Sequence, residues 1–243
     1  MVVPLYDDNP FQLPHRPVVT WSLIAFNIIV FAIEASGDLQ VFANRYGLIP
    51  AAFAGDSELS DGLPPVLTLF TYMFLHGDFM HLLGNMIFLW VFGDDVEEAL
   101  GRLRFLVFYF ACGALGALAF IASDARSAIP LIGASGAVSG VVIAYVMLRP
   151  CAKVMVLIGI LPLRVRAFWV VGAFAILQFI SLGAASKSEV AYWCHVGGMV
   201  AGGILFYVMR PAGVRLFQCI DPDTRLAELE RSSYRDGPWG PRR

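Results

Sequence analysis

The chain has 243 residues, 58% of them hydrophobic and only 15% charged, with a mean hydropathy of +0.70. A water-soluble domain carries about 45–50% apolar and about 25% charged residues, so this composition lacks the charges of a solvated surface and excludes an ordinary soluble enzyme. A net charge of −2 excludes a nucleic-acid binder, which would show a basic stripe. Four dispersed cysteines without CxxC pairing (Cys112, Cys151, Cys194 and Cys219) argue against a disulfide scaffold or a zinc ribbon.

The hydrocarbon core of a bilayer is about 30 Å thick and takes about 20 apolar residues of helix. Six uncharged stretches approach that length in chain order. Val18–Ile33 ends at Glu34, and Phe79–Gly93 closes at Asp94-Asp95; Phe105–Ser123, Ser127–Leu148, Ala167–Ser186 and Val190–Met209 follow. A seventh run, Val154–Leu163, has ten residues and a proline. It is too short to span and predicts an interfacial segment or an inner extension of the fifth helix. The first stretch has no basic region before it and no A-x-A-like cleavage site, so it reads as a retained anchor.

Orientation follows from Lys and Arg in the connections. With both ends inside, inner segments hold 14 of the 17 basic residues; only Arg45, Arg126 and Lys187 lie outside. The expected fold class is an all-α polytopic membrane protein with six transmembrane helices. Residues 1–17 form a short cytoplasmic segment, 18–210 the membrane domain, and 211–243 a polar cytoplasmic tail. In the tail, Asp221-Pro-Asp-Thr can cap a short helix reaching Arg231, or the whole stretch can stay solvated. The first outer loop, roughly Gly37 to Asp78, is long and half apolar, which predicts a loop lying in the bilayer margin against the protein.

Polar side chains inside spans mark functional sites by default, because burying them in lipid is expensive. His81 and Asn85 lie one turn apart near the outer end of the second span, Ser135 near the outer end of the fourth, and His195 near that of the sixth. Helices distant in sequence thus deliver Ser, His, His and Asn to one depth. Taken singly, each residue also fits a packing or hydrogen-bonding role. Gly136-x-x-x-Gly140 and Gly198-x-x-x-Gly202 form small-residue stripes below Ser135 and His195, and such stripes let two backbones approach closely. A neutral imidazole accepts a proton well near pH 7, so Ser135 and His195 can act as nucleophile and base. The start of the fourth helix, with His81 and Asn85, can hold the oxyanion. No Asp or Glu is buried at that depth, which leaves a Ser–His dyad.

Together these residues resemble the rhomboid family of intramembrane serine proteases. Gly133-Ala-Ser135-Gly136 is similar to the family's GxSG motif, and His195-Val-Gly-Gly198-Met-Val-Ala-Gly202 to its catalytic histidine and following glycines. His76-Gly-Asp-Phe-Met-His81-Leu-Leu-Gly-Asn85 matches HxxxxHxxxN, and Glu97-x-x-x-Gly101 resembles the ExxxG element. The resemblance implies a Ser135–His195 dyad and an oxyanion hole of His81, Asn85 and the Ser135 amide. It gives His76 a part in shaping the first loop, and Glu97 that of a structural tie at the inner end of the second span. The implied function is a serine endopeptidase without cofactor or metal, acting on single-pass membrane proteins in the bilayer. Its membrane is expected to be a bacterial plasma membrane, with the site open to the outer side; oligomeric state is left open. Two positions depart from the pattern. Leu67-Thr68 stands where many members carry Trp-Arg, and Ser139 where an aromatic often stacks on the histidine, so what orients His195 stays open.

The alternative is a catalytically idle rhomboid-like chaperone or dislocation factor that binds transmembrane helices. A transporter would show mid-membrane charges or inverted repeats, and a zinc protease HExxH; the sequence has neither. Phe168, Trp169, Phe174 and Phe179 on the fifth span suit a lateral gate, or simply face lipid or core.

Overall fold

The computed structural model describes residues 2–7, 16–55, 62–159, 161–184 and 192–219. Among these, two helices are long and apolar enough to cross a membrane, α6 (Arg102–Ser123) and α9 (Tyr192–Met209). The segment of α4 (Pro65–Thr71) with a single 3-10 turn (Tyr72–Phe74) and the helix α5 (Phe79–Leu100) bend by 84° at their junction, and together they are apolar and long enough for a third crossing if the pair counts as one span. Three shorter apolar helices complete the bundle: α1 (Val18–Glu34), α7 (Ser135–Leu148) and α8 (Ala167–Ala184). The outward faces carry large apolar groups such as Phe26, Ile29, Leu103, Trp169 and Val208. A surface of this kind is stable against lipid and not against water.

The centre is built by α6, α7 and α9, with Phe108, Tyr109, Cys112, Tyr145 and Phe206 fully buried. Their closeness is a consequence of glycine. A Cβ at Gly198 would overlap the carbonyl oxygen of Gly136, and one at Gly202 the Cα of Gly140. A Cβ at Gly140 would come within 2.6 Å of Cys112 Sγ. The two stripes read from the sequence therefore face each other.

The first loop folds into α2 (Leu39–Tyr46), α3 (Pro50–Phe53) and α4, and sends Leu48, Tyr72 and Met73 into the core. Leu48 also pairs with Leu131 through a two-way backbone bridge, 3.0 and 2.8 Å. This corrects the fourth predicted span. Helix α7 begins at Ser135 and not at Ser127, because Pro130 and the positive-φ Gly133 (φ +119°) interrupt the apolar run.

At the arginine-rich end, the run expected to be interfacial or helical is instead a hairpin. Strand β2 (Lys153–Ile158) pairs antiparallel with β3 (Leu161–Arg166) and with β1 (Val2–Asp7) from the N-terminus. Alternate residues Val154 and Val156 of β2 are buried, the period-2 signature of a strand with one covered face. The Tyr145 hydroxyl donates to Asp7 Oδ2 at 2.5 Å and fixes the end of β1 to α7. Cys151 and Cys219 stand side by side at this end, their Cα atoms 5.0 Å apart, a single pair and not the scaffold the sequence argued against. The predicted helix from Asp221 to Arg231 lies outside the described residues, as does the whole loop between α8 and α9.

Helix α1 is attached through Glu97. Its carboxylate accepts from the amides of Val19 (3.1 Å) and Thr20 (2.7 Å) and from the Thr20 hydroxyl (2.8 Å). These are first-turn amides without intrahelical acceptors, and Pro17 before them offers no capping side chain. Gly101, at φ +78°, makes the turn from α5 into α6.

Candidate active site

The site begins with the turn that presents Ser135. The Gly133 amide donates to the Tyr72 carbonyl at 2.9 Å, and the buried Tyr72 hydroxyl donates to the Gly113 carbonyl at 2.8 Å. The turn is thereby fixed to α6 through the first loop. A side chain at Gly133 would come within 2.6 Å of His81 Nε2 and 3.7 Å of Ser135 Oγ. Its absence keeps open a space bounded by the His81 ring and the Ser135 hydroxyl. As the first residue of α7, Ser135 also stands where backbone N–H groups lack intrahelical acceptors and the helix dipole is positive.

His195 is the fourth residue of α9. Its Nε2 lies 2.7 Å from Ser135 Oγ, across the helix pair that the glycines draw together. Its Nδ1 lies 2.9 Å from Gln178 Oε1 on α8. The sequence analysis missed this residue, since it looked for a third partner only among carboxylates. The signal was present: Gln178 is the one amide in the otherwise apolar run Ala167–Ile180.

His81 and Asn85 lie one turn apart on α5, whose start is capped by the Asp78 carboxylate accepting from the His81 amide at 2.8 Å. Asn85 is 7% exposed, and its Nδ2 has no hydrogen-bond partner among the described residues. A buried donor left unpaired costs about 1–3 kcal/mol, which an incoming oxygen would offset. His76 is fully buried, packs edge-on to His81 with ring centroids 5.2 Å apart, and donates its backbone N–H to Glu34 Oε2 at 3.2 Å. Glu34, the last residue of α1, thus ties that helix to the loop before α5; sequence reasoning gave it only a boundary role. Ser139 is buried on α7 and leaves the flank of His195 without an aromatic from that position. Among the described residues, no three His, Cys, Asp or Glu side chains cluster as a metal site would need.

The geometry joins a hydroxyl to an imidazole, with hydrogen-bond donors nearby. A family model described as the Rhomboid domain matches residues 64–212, well over half of the chain and all of this site. The chain belongs to the rhomboid family. This rhomboid is 27% identical over 213 residues to "Rhomboid protein 1, mitochondrial" of Saccharomyces cerevisiae, covering 82% of the chain and 58% of that relative. It is 29% identical over 189 residues to "Rhomboid protease GluP" of Bacillus subtilis, covering 77% of the chain and 34% of the relative. A third, "Presenilin-associated rhomboid-like protein A, mitochondrial" of Danio rerio, is 28% identical over 219 residues, 89% of the chain and 50% of the relative. The chain thus spans from a third to somewhat over half the length of these curated relatives.

Proposed function

We propose that this rhomboid is an intramembrane serine endopeptidase that hydrolyses peptide bonds in or near the transmembrane segments of single-pass membrane proteins. The observation that carries the reading is the 2.7 Å approach of Ser135 Oγ to His195 Nε2. A serine hydroxyl becomes a competent nucleophile when a neutral imidazole takes its proton. In this reading Ser135 Oγ attacks the scissile carbonyl while its proton passes to His195 Nε2. The resulting oxyanion is held by the Ser135 amide and the side chains of His81 and Asn85. Collapse breaks the C–N bond as His195 returns the proton to the leaving amine. Water then cleaves the acyl-Ser135 ester by the same relay.

Six helices, α1 and α5 to α9, cross the bilayer in this account. The length of α7 supports the depth of the site. Its 14 residues rise about 21 Å at 1.5 Å each, against a hydrocarbon core of about 30 Å. With Arg149 at the inner face, Ser135 stops short of the outer one, where water can reach it. A substrate must offer extended backbone there, because helical carbonyls are already hydrogen-bonded. The basic end is placed in the cytoplasm by the positive-inside rule, and a bacterial plasma membrane is the proposed location. The Bacillus subtilis relative suits that membrane; the mitochondrial names of the yeast and zebrafish relatives do not.

The test is incubation of purified protein with a panel of single-pass substrates, wild type against Ser135→Ala. Cleavage near a transmembrane segment by wild type alone supports the reading. A well-folded wild type that binds these proteins and cuts none supports the idle chaperone instead.

A further inference from the structure

His195 can serve as base in only one of its two neutral forms. Nε2 must carry the lone pair facing Ser135, so the ring proton must reside on Nδ1, and that proton needs an acceptor. Among the described residues no carboxylate is hydrogen-bonded to the ring, whereas Gln178 Oε1 lies 2.9 Å from Nδ1. We infer that Gln178 is the positioning residue of this site: its side-chain carbonyl accepts the Nδ1–H of His195, selects the tautomer and fixes the ring plane. The inference rests on the reading of Ser135 and His195 as nucleophile and base. A neutral amide also differs from a carboxylate in a way that matters here. It orients the imidazole without adding a negative charge to a site in the membrane, at the expense of stabilising the imidazolium less.

Where Gln178 sits adds a consequence. From Gly172 to Leu182 no residue of α8 is fully buried, and Trp169, Ile176, Leu177, Phe179 and Ile180 all point outward. In that half, the contacts of α8 with the rest include the Gln178–His195 hydrogen bond and Phe174 against Phe88, ring centroids 5.7 Å apart. The orienting group is thus carried by the peripheral helix and the base by the central one. Any outward shift of α8 removes the acceptor, so the dyad is fully assembled only while α8 rests on α9.

Two measurements test this. In the otherwise wild-type chain, Gln178→Leu lowers kcat roughly tenfold to hundredfold with KM unchanged, since orientation and not substrate binding is lost. Gln178→Glu restores most of kcat and moves the acid limb of the pH–rate profile to higher pH, because a carboxylate stabilises the imidazolium. A purely structural role for Gln178 would change KM or thermal stability alike in both variants and leave the acid limb in place, which overturns the inference. Independently of turnover, nitrogen-15 spectra of Ser135→Ala protein show His195 as the Nδ1–H form with Gln178 and as a mixture with Gln178→Leu. An unchanged tautomer together with unchanged kcat overturns the role of Gln178 and leaves the peptidase reading standing. A wild type with no peptidase activity overturns that reading and leaves the tautomer result intact.

Discussion

Gly198 rests directly against the carbonyl oxygen of Gly136, with no room for even a methyl group between α9 and α7. This contact sets the distance between two helices, and through it the distance between Ser135, one residue before Gly136, and His195, three residues before Gly198. Substituting Gly198 by Ala forces the backbones apart, and overpacking of this kind costs about 1–3 kcal/mol. The expected outcome is a lower unfolding temperature in detergent and loss of labelling at Ser135. Gly172→Ala on α8 is the matched control, since a Cβ there meets nothing. Equal stability and labelling in the two variants would contradict the account.

His81 and Asn85 are assigned to the oxyanion. Asn85→Ala and His81→Ala should each lower kcat by roughly 10²-fold or more with little change in KM, because the charge they hold exists only in the transition state. The double variant should lose less than the product of the single effects, since both donors serve one oxygen. Steady-state kinetics on one transmembrane substrate decides the matter. A rise in KM alone would make these residues part of substrate binding.

At the opposite end, Asp7 couples strand β1 to pH. Burial holds its carboxyl above the ordinary range, and the Tyr145 hydroxyl and Arg149 pull only partly the other way, with Asp95 alongside. A raised pKa in the folded state means that the stabilisation is fully present below the unfolded value, about 3.9, and is lost as pH rises through the folded one. Backbone amides of Val2–Asp7, corrected for intrinsic exchange rates, should therefore be better protected in mild acid than in mild alkali. Asp7→Asn should flatten that difference. Protection that is independent of pH in the wild type would contradict it.

Much of the site was legible because lipid makes polar groups conspicuous. Ser135, His81, Asn85 and His195 stand out in uncharged runs, and the glycine stripes beneath two of them announced the close approach of α7 and α9. The bounds of α1 and the ends of α6 and α9 followed from the same uncharged runs, whereas α6 starts earlier, at Arg102, and α5 runs past Asp94-Asp95 to Leu100, because charges at the membrane boundary do not end a helix. Other features depended on partners that no local pattern names. Strand β2 is continuously apolar from Val154 to Ile158, so the alternate burial of Val154 and Val156 has no counterpart in the sequence pattern, and its partner β1 lies some 150 residues away. The start of α7 was placed too early because hydropathy ignores Pro130 and the backbone that Gly133 must adopt. Gln178 escaped because a partner for His195 was sought only among carboxylates, although an amide in a membrane span is as conspicuous as Asn85 was.

The central claim is that Ser135 is a nucleophile activated by His195. A fluorophosphonate probe reacts with such a serine and not with an idle one, and intact mass spectrometry reads one adduct per chain. The account predicts a single adduct on Ser135, absent in Ser135→Ala and greatly slowed in His195→Ala. Well-folded wild-type protein that takes no label, or labels equally after either substitution, would contradict it.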